Sequence, residues 1–512
     1  MFFRVLGLLA CLNLSNSAYS KSVDNLILVI GDGMGPQQVS LLNYYLSNSG
    51  MKVQSQFKRL SDDGKIFIVE TVPKQGLVAE SASSATQMAS GEYSRPGMIG
   101  LDVNGKPVTT ILEKAKAKGI LTGLVSDTRI THATPAAFAA HRIDRYDESG
   151  IAEDLIEVAP DLLLSGGFAY FTPKDVNDPK SKPYKKYRDI VPSGIAISSL
   201  RKDQKDLLAG AKAKGYRLVF DRQSLMKSKS LPILGLFHKE SMPSAIYESL
   251  HKNDRNRLSP SLEEMTEYSL DVLSKSRKGF FLMVESGQID WASHSNDPGY
   301  LLHQMLQMNR IIKIVVDFAE KREDTLVVIT SDHETGSFSF SYSVLDKPVS
   351  ENLNGQEYKR TLDYGHPEDI RLLAKQKRTC TEIMKDFDKR KKSEQTPQAL
   401  VKTVKANYPY SISKQDAEKV LQAGDMADFR KMRSFEESDG FFGKYYNFKS
   451  QRQCSVLAKI VYRESNIIWG TAGHTSTPVI SYVVGPSKAS APFKGMMHNT
   501  KLGQLLQQAL GL

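Results

Sequence analysis

Cysteine is scarce in this chain. Three occur in 512 residues, at Cys11, Cys380 and Cys454, too few for disulfides to be the scaffold of the fold. Long apolar runs are missing too. Beyond the first twenty residues no stretch reaches the roughly 18 uninterrupted apolar residues that a membrane-spanning helix needs. No repeat or low-complexity run is evident either. What remains is an ordinary globular composition, 40% hydrophobic and 24% charged, in a chain long enough for one large domain with insertions or for two to three domains.

The net charge of +11 favours anionic ligands or an anionic surface. Two basic runs, at 180–188 and 389–392, read as solvated loops, so no specific nucleic-acid partner is expected. Residues 1–20 stand apart: "MFFR" is basic, "VLGLLACLNL" is apolar but too short to span, and "SNSAYS" is spaced for cleavage. That is the pattern of a secretory signal removed after Ser20, although "LLAC" also resembles a lipoprotein box. The mature chain is expected to be exported, periplasmic or secreted. Export permits a disulfide, and Cys380 and Cys454 could pair or could equally remain single buried thiols.

Short apolar runs alternate with helical patterns such as "VTTILEKAKAKG" and "SLEEMTEYSLDVLSKS". The expected fold is α/β, a central, mostly parallel sheet flanked by helices. Each run ends in polar chemistry. "NLILVIGDGMG" ends at Asp32; "GLVSDTRITHATP" delivers His132 and Thr134; "GFFLMVESGQIDWASHS" delivers Glu285, Asp290 and His294. "DTLVVITSDHETGSF" delivers Asp332 and His333, and "NIIWGTAGHTSTP" delivers His474. Strand ends are where open α/β sheets build sites.

The residue types divide by metal preference. Imidazole with carboxylate suits zinc, and oxygen donors alone suit magnesium. Asp290 and His294 are four apart, on one face of a helix, and His474 would complete a three-ligand zinc site with an open position. Asp32, Asp332 and His333 would hold a second ion. Thr134 and Glu285 offer only oxygen and point to a third, magnesium-like site that Asp32 could bridge. The stretch "LVAESASSATQMASG" places Ser81 at a helix start, followed by very small side chains. Small residues there would let ions and an anion come close, and free amides at the helix start would face that anion.

Six ordered motifs resemble the alkaline phosphatases: "GDGMG", "ESASSAT", "THATPAAFAAH", "VESGQIDWASHSND", "SDHETGSF" and "GTAGHT". The likeness extends over most of residues 24–340 and 466–512 and is strongest to bacterial members with a long insertion. It implies hydrolysis of phosphate monoesters through a phosphoserine at Ser81. It also implies two zinc ions, one held by Asp290, His294 and His474 and one by Asp32, Asp332 and His333, with Ser81 bound to the second. Magnesium would sit on Asp32, Thr134 and Glu285, with His132 acting on that site through a water. Arg145 matches the arginine that grips two phosphate oxygens, and Arg142 lies nearby. Trp291, beside the substrate, stands where some relatives carry lysine or histidine. Glu80 is a departure, because the family usually has aspartate before the nucleophile.

Residues 21–336 and 466–512 are therefore expected to form the catalytic core. Residues 337–465 are expected to be a helix-rich insertion that contacts the partner of a homodimer. A sulfatase nucleophile would need a C/S-x-P-x-R stretch, and none is present. A phosphodiesterase and an inactive phosphate- or metal-binding protein are the competing readings.

Overall fold

The computed structural model describes residues 22–424, 449–463 and 465–512; the expected signal at 1–20 lies outside the described residues. The apolar runs form one ten-stranded sheet. In chain order its first members are β1 (Asn25–Gly31), β2 (Ile66–Glu70), β3 (Leu121–Arg129) and β4 (Leu162–Gly166). Then come β5 (Arg217–Val219), β6 (Ile233–Leu236), β7 (Phe280–Ser286) and β8 (Thr325–Thr330), and finally Val479–Val484 and Met496–His498. Across the sheet the order is Met496–His498, β2, Val479–Val484, β8, β1, β7, β3, β4, β6, β5. Val479–Val484 runs antiparallel to both neighbours, and the other pairings are parallel.

β1 shows why the sheet sits where it does. Its alternate side chains enter two different cores, Ile27 and Val29 on one face and Leu26, Leu28 and Ile30 on the other. Both faces are covered by helices, as a near-continuous apolar strand requires. The fold is α/β, with a mostly parallel mixed sheet between helical layers. The two helical patterns become Ile111–Ala117 and Leu262–Leu273, each opened by a capping box, Thr110 with Glu113 and Ser261 with Glu264. The basic run at 180–188 is not a loop. Ser181 caps a helix over Lys182–Arg188, and Tyr187 is buried beneath it.

The chain leaves this framework after Phe338–Phe340 and returns through Ile467–Trp469, and the two strands pair antiparallel as a stem. Between them lies a long hairpin, Ser343–Leu353 with Gln356–Asp363, largely exposed to solvent. Helices follow at Pro367–Leu373, Cys380–Asp388, Pro397–Asn407, Lys414–Gln422 and Lys449–Val461. Cys380 and Cys454 are bonded, joining two of these helices across 74 positions of sequence. In the chain-entropy account, a loop of that length stabilises by about 4 kcal/mol. Cys454→Ser is expected to lower the thermal midpoint in non-reducing buffer. Reducing the wild type with dithiothreitol should reproduce the loss, and an unchanged midpoint in both cases would refute it.

Candidate active site

The carboxyl ends of β1, β3, β7 and β8 lie side by side, because these four strands are consecutive in the sheet. Asp32 follows β1 directly. Gly33 turns the chain with φ +73°, and a Cβ there would stand 2.8 Å from the Asp290 Cα, so only glycine fits. His132 occupies the N-cap position of, and Thr134 belongs to, the one-turn helix Ala133–Ala136 that follows β3, and Glu285 lies near the end of β7. Asp290 and His294 share the helix Gln288–His294. Asp332 and His333 follow β8. His474 comes from far along the chain and is brought in by a two-residue strand that pairs it with Thr335.

These side chains converge. His294 Nε2 is 3.2 Å from Asp290 Oδ2 and 3.1 Å from His474 Nε2. His474 Nε2 is 3.6 Å from Asp290 Oδ1. His333 Nε2 is 3.1 Å from Asp332 Oδ2 and 3.6 Å from Asp32 Oδ1. Thr134 Oγ1 donates to Asp32 Oδ2 at 3.4 Å, and His132 Nδ1 is 3.9 Å from Glu285 Oε1. Donor atoms of Asp32, Asp332 and His333 fall within 4.8 Å of one another, as do those of Asp32, His132 and Glu285. His333 faces both neighbouring groups, and its ring stacks on that of His474 at 3.7 Å.

The histidines are aimed by their other nitrogens. His474 Nδ1–H donates to the Ala79 carbonyl at 2.9 Å, and His294 Nδ1–H donates to the Ala472 carbonyl. Each Nε2 is thereby left as a lone-pair donor turned inward, as metal-ligating imidazoles are held.

The charges here require a cation. Asp32, Glu285, Asp332 and His333 are wholly buried. Asp32 Oδ1, Asp332 Oδ2, Glu285 Oε1 and His132 Nδ1 have no hydrogen-bond partner, although buried polar atoms are nearly always satisfied. Burial, then the Asp290 charge, pushes the Asp332 carboxyl up to about 8. Burial and the charges of Asp332, Asp290 and Glu285 push Asp32 upward as well. Burial drives the His333 imidazole down and His474 to about 4, so both are neutral ligands at ordinary pH. Adjacent buried carboxylates with orphaned oxygens and inward imidazole nitrogens suit divalent ions. The donor set fits.

Ser81 opens the helix Ser81–Ser90, its Oγ 3.2 Å from His333 Nε2. Glu80 caps that helix, and here one expectation fails. The amides of Ala82 and Ser83 are not free for an anion, because the Glu80 carboxylate takes both, at 3.0 and 2.7 Å. The longer side chain curls back over the helix start. The same carboxylate accepts from the Gly97 amide at 2.8 Å and from Arg145 Nη1 at 2.7 Å. Burial alone would raise its pKa, but the Arg145 charge and these amides carry it below the usual range. Arg145 reaches the site, whereas Arg142 turns away to a two-pronged pair with Asp154. The small residues have a second cause too. Ala82, Ala85 and Ala89 are buried in the core, and the helix packs so closely on Asn499–Leu510 that a Cβ on Gly503 would meet the Gln87 carbonyl at 2.5 Å.

A family model described as alkaline phosphatase matches residues 23–512. Alkaline phosphatase 3 of Bacillus subtilis is 30% identical over 498 residues, covering 95% of this chain and 89% of that protein. The chain belongs to the alkaline phosphatase family. It is a phosphoric monoester hydrolase with metal-binding clusters at its strand ends. The structure is similar to that of a cold-active alkaline phosphatase from a psychrophilic Shewanella sp., with a TM-score of 0.68, 27% identity, and 95% and 99% of the two chains covered. The fold is also that of Thermus thermophilus alkaline phosphatase, with a TM-score of 0.76 at 24% identity over 99% and 96% of the chains. The match spans the insertion as well as the flanking motifs.

Sequence reasoning passed over several groups that shape this alkaline phosphatase site. Thr335 donates to Asp290 Oδ1 at 2.6 Å and lies 3.3 Å from His333 Nδ1, joining the two clusters. Ser126 and Thr128 both hydrogen-bond Glu285 Oε2. The period-two spacing of "SDT" on β3 was the available signal, since it sends both hydroxyls to one face. A cavity of about 460 Å³ opens over Ser81, lined also by Arg145, His132, Trp291 and the Arg129–Glu148 pair. His132 meets Trp291 edge to face at 5.7 Å and Arg145 Nη2 at 3.2 Å.

Proposed function

We propose that this phosphatase acts through a phosphoserine on Ser81, with two zinc ions and one magnesium. Zinc would be held by Asp290, His294 and His474 and by Asp32, Asp332 and His333, and magnesium by Asp32, Thr134 and Glu285 beside His132. The observation that carries the reading is the Ser81 hydroxyl, 3.2 Å from His333 Nε2 and lining the same cavity as the Arg145 guanidinium. Bound ions supply Lewis acidity, lowering the pKa of a hydroxyl and neutralising charge on a departing oxygen. Arg145, oriented by Glu80, grips two oxygens of the phosphoryl group. Ser81 Oγ forms its bond to phosphorus as the ester P–O bond breaks and the alcohol leaves. Water then cleaves the serine–phosphorus bond, releasing phosphate and restoring the hydroxyl. Turnover of p-nitrophenyl phosphate but not its bis-ester, abolished by a chelator, is the expected result. Chelator-insensitive turnover, or none, would refute the reading.

Glu80 tunes this site. Glu80→Asp shortens the arm that holds Arg145 and is expected to change the inhibition constant for phosphate by about tenfold, the scale of one charged hydrogen bond. Zinc content should stay constant, and a parallel loss of zinc would count against the role.

The protein is further read as exported, removed from its signal after Ser20, and the Cys380–Cys454 bond is in keeping with an oxidising compartment. Among the described residues no helix is long and apolar enough to cross a membrane. A homodimer is also proposed. The exposed hairpin of the insertion, flanked by Tyr342 at 62% and Tyr364 at 65% exposure, supports a partner-embracing role. Light scattering that returned a monomer mass would reject it.

A further inference from the structure

A second cavity, about 1110 Å³ in volume, adjoins the first and shares Trp291 and His294 with it. Its walls come from two parts of the chain. The core supplies Met242, Pro243 and Tyr247, and the insertion supplies Thr381, Glu382 and Lys385 from the helix Cys380–Asp388. That helix is pinned to the site. The Cys380 amide donates to Asp297 Oδ2 at 2.7 Å, and Thr381 Oγ1 lies 3.0 Å from Ser295 Oγ. Ser295 and Asp297 follow His294 almost directly, so the wall and the histidine-bearing segment are tied together.

We propose that this second cavity is the subsite for the alcohol part of the ester and that it takes nucleoside-sized, aromatic leaving groups. The proposal rests on Ser81 being the phosphorylated residue. If Ser81 attacks from the His333 side, the leaving oxygen departs in line toward Asp290, His294 and His474. His294 and Trp291 border both cavities, which puts the larger one next to the leaving oxygen and gives the alcohol room to enter it. The first cavity, about 460 Å³, has to hold the phosphoryl group, and the second offers about 1110 Å³ beside it, ample for a nucleoside-sized group. Its mouth presents the Trp291 indole, and Met242, Pro243, Tyr247 and Leu258 give apolar surface for a flat ring. Lys385 at the rim makes no hydrogen bond or ion pair among the described residues and adds an open cation. The insertion thus becomes part of the substrate site of its own protomer.

The chain has two tryptophans, so Trp469→Phe leaves Trp291 as the sole indole reporter. Adenosine is expected to quench its fluorescence saturably. In kinetics, adenosine 5′-phosphate is compared with glycerol 2-phosphate. Lys385→Trp, on the insertion helix, and Ala196→Trp, on the core side, narrow the cavity, and each should lower the kcat/KM ratio of the large to the small ester about tenfold. Absence of quenching, or an unchanged ratio in both variants, overturns the proposal. Failure to trap phosphate on Ser81 would instead overturn the reading of the reaction, and the adenosine titration would remain an independent result.

Discussion

Ser81→Ala is expected to lower kcat/KM for p-nitrophenyl phosphate by roughly 10³–10⁵-fold, the usual scale for losing a nucleophile that works with its neighbours as a unit. Activity should not fall to the uncatalysed rate. Arg145, proposed to grip the phosphoryl oxygens, and the metal clusters remain, and water can attack a positioned phosphoryl group directly, so a residual advantage should survive, as it does when other hydrolases lose a nucleophile. Two controls separate chemistry from structure. Ser81 would be one ligand of the second ion, but Asp32, Asp332 and His333 remain to hold it, so metal content should hold. Phosphate should still inhibit, because Arg145 is held by Glu80 and not by Ser81. Acid-quenched enzyme with labelled phosphate should yield a labelled serine in the wild type and none in the variant. A loss below tenfold, or label retained in the variant, would remove Ser81 from the mechanism.

How far this site was readable follows from where its residues lie. Asp32, Glu285, Asp332 and His333 each stand at the end of an apolar run, and a parallel sheet gathers such ends at one edge whatever the strand order. His474 was harder: its glycine-rich turn after an apolar run marked it as a candidate ligand, but only a short antiparallel pairing with Thr335 carries it to Asp290. Other features left no trace. The hairpin over 343–363 is exposed on both faces, so no buried face imposes an alternating pattern, and Pro348 interrupts it. The helix at 182–188 buries little beyond Tyr187 among charged residues, too little for an apolar stripe. The pairing of Cys380 with Cys454 depends on two helices meeting in space. Glu80 was legible as a departure but not as a helix cap, because one carboxylate doing both jobs appears only when Arg145 and the helix start are seen together.

Stripping the metals is expected to cost more stability as pH rises, and the sign follows from the buried acids. Asp332 titrates near 8 and Asp32 is raised also, so without cations the folded protein keeps protons that the unfolded chain, with carboxyls near 4, has already lost. Below pH 6.5 this is opposed by His474, lowered to about 4, and by His333, also lowered, which fold neutral and favour the native state as pH climbs to the unfolded histidine value. Between about 6.5 and 8 that opposition has ended. The proton kept by Asp332 then costs about 2 kcal/mol across the interval, Asp32 adds to that cost, and His294, raised by the Asp290 charge against the effect of burial, acts in the same direction. Bound ions remove the penalty by replacing those protons, and binding therefore strengthens with pH. Two or three ions, each at a thousandfold excess over its Kd, add about 8–12 kcal/mol, or roughly 10 °C in midpoint for a chain of this size. Calorimetry of loaded and EDTA-stripped protein at pH 6.5 and 8 should show the stripped midpoint falling and the gap widening by a few degrees. A stripped protein that became more stable over the same interval would mean that the carboxylates of Asp32 and Asp332 are not held together as described.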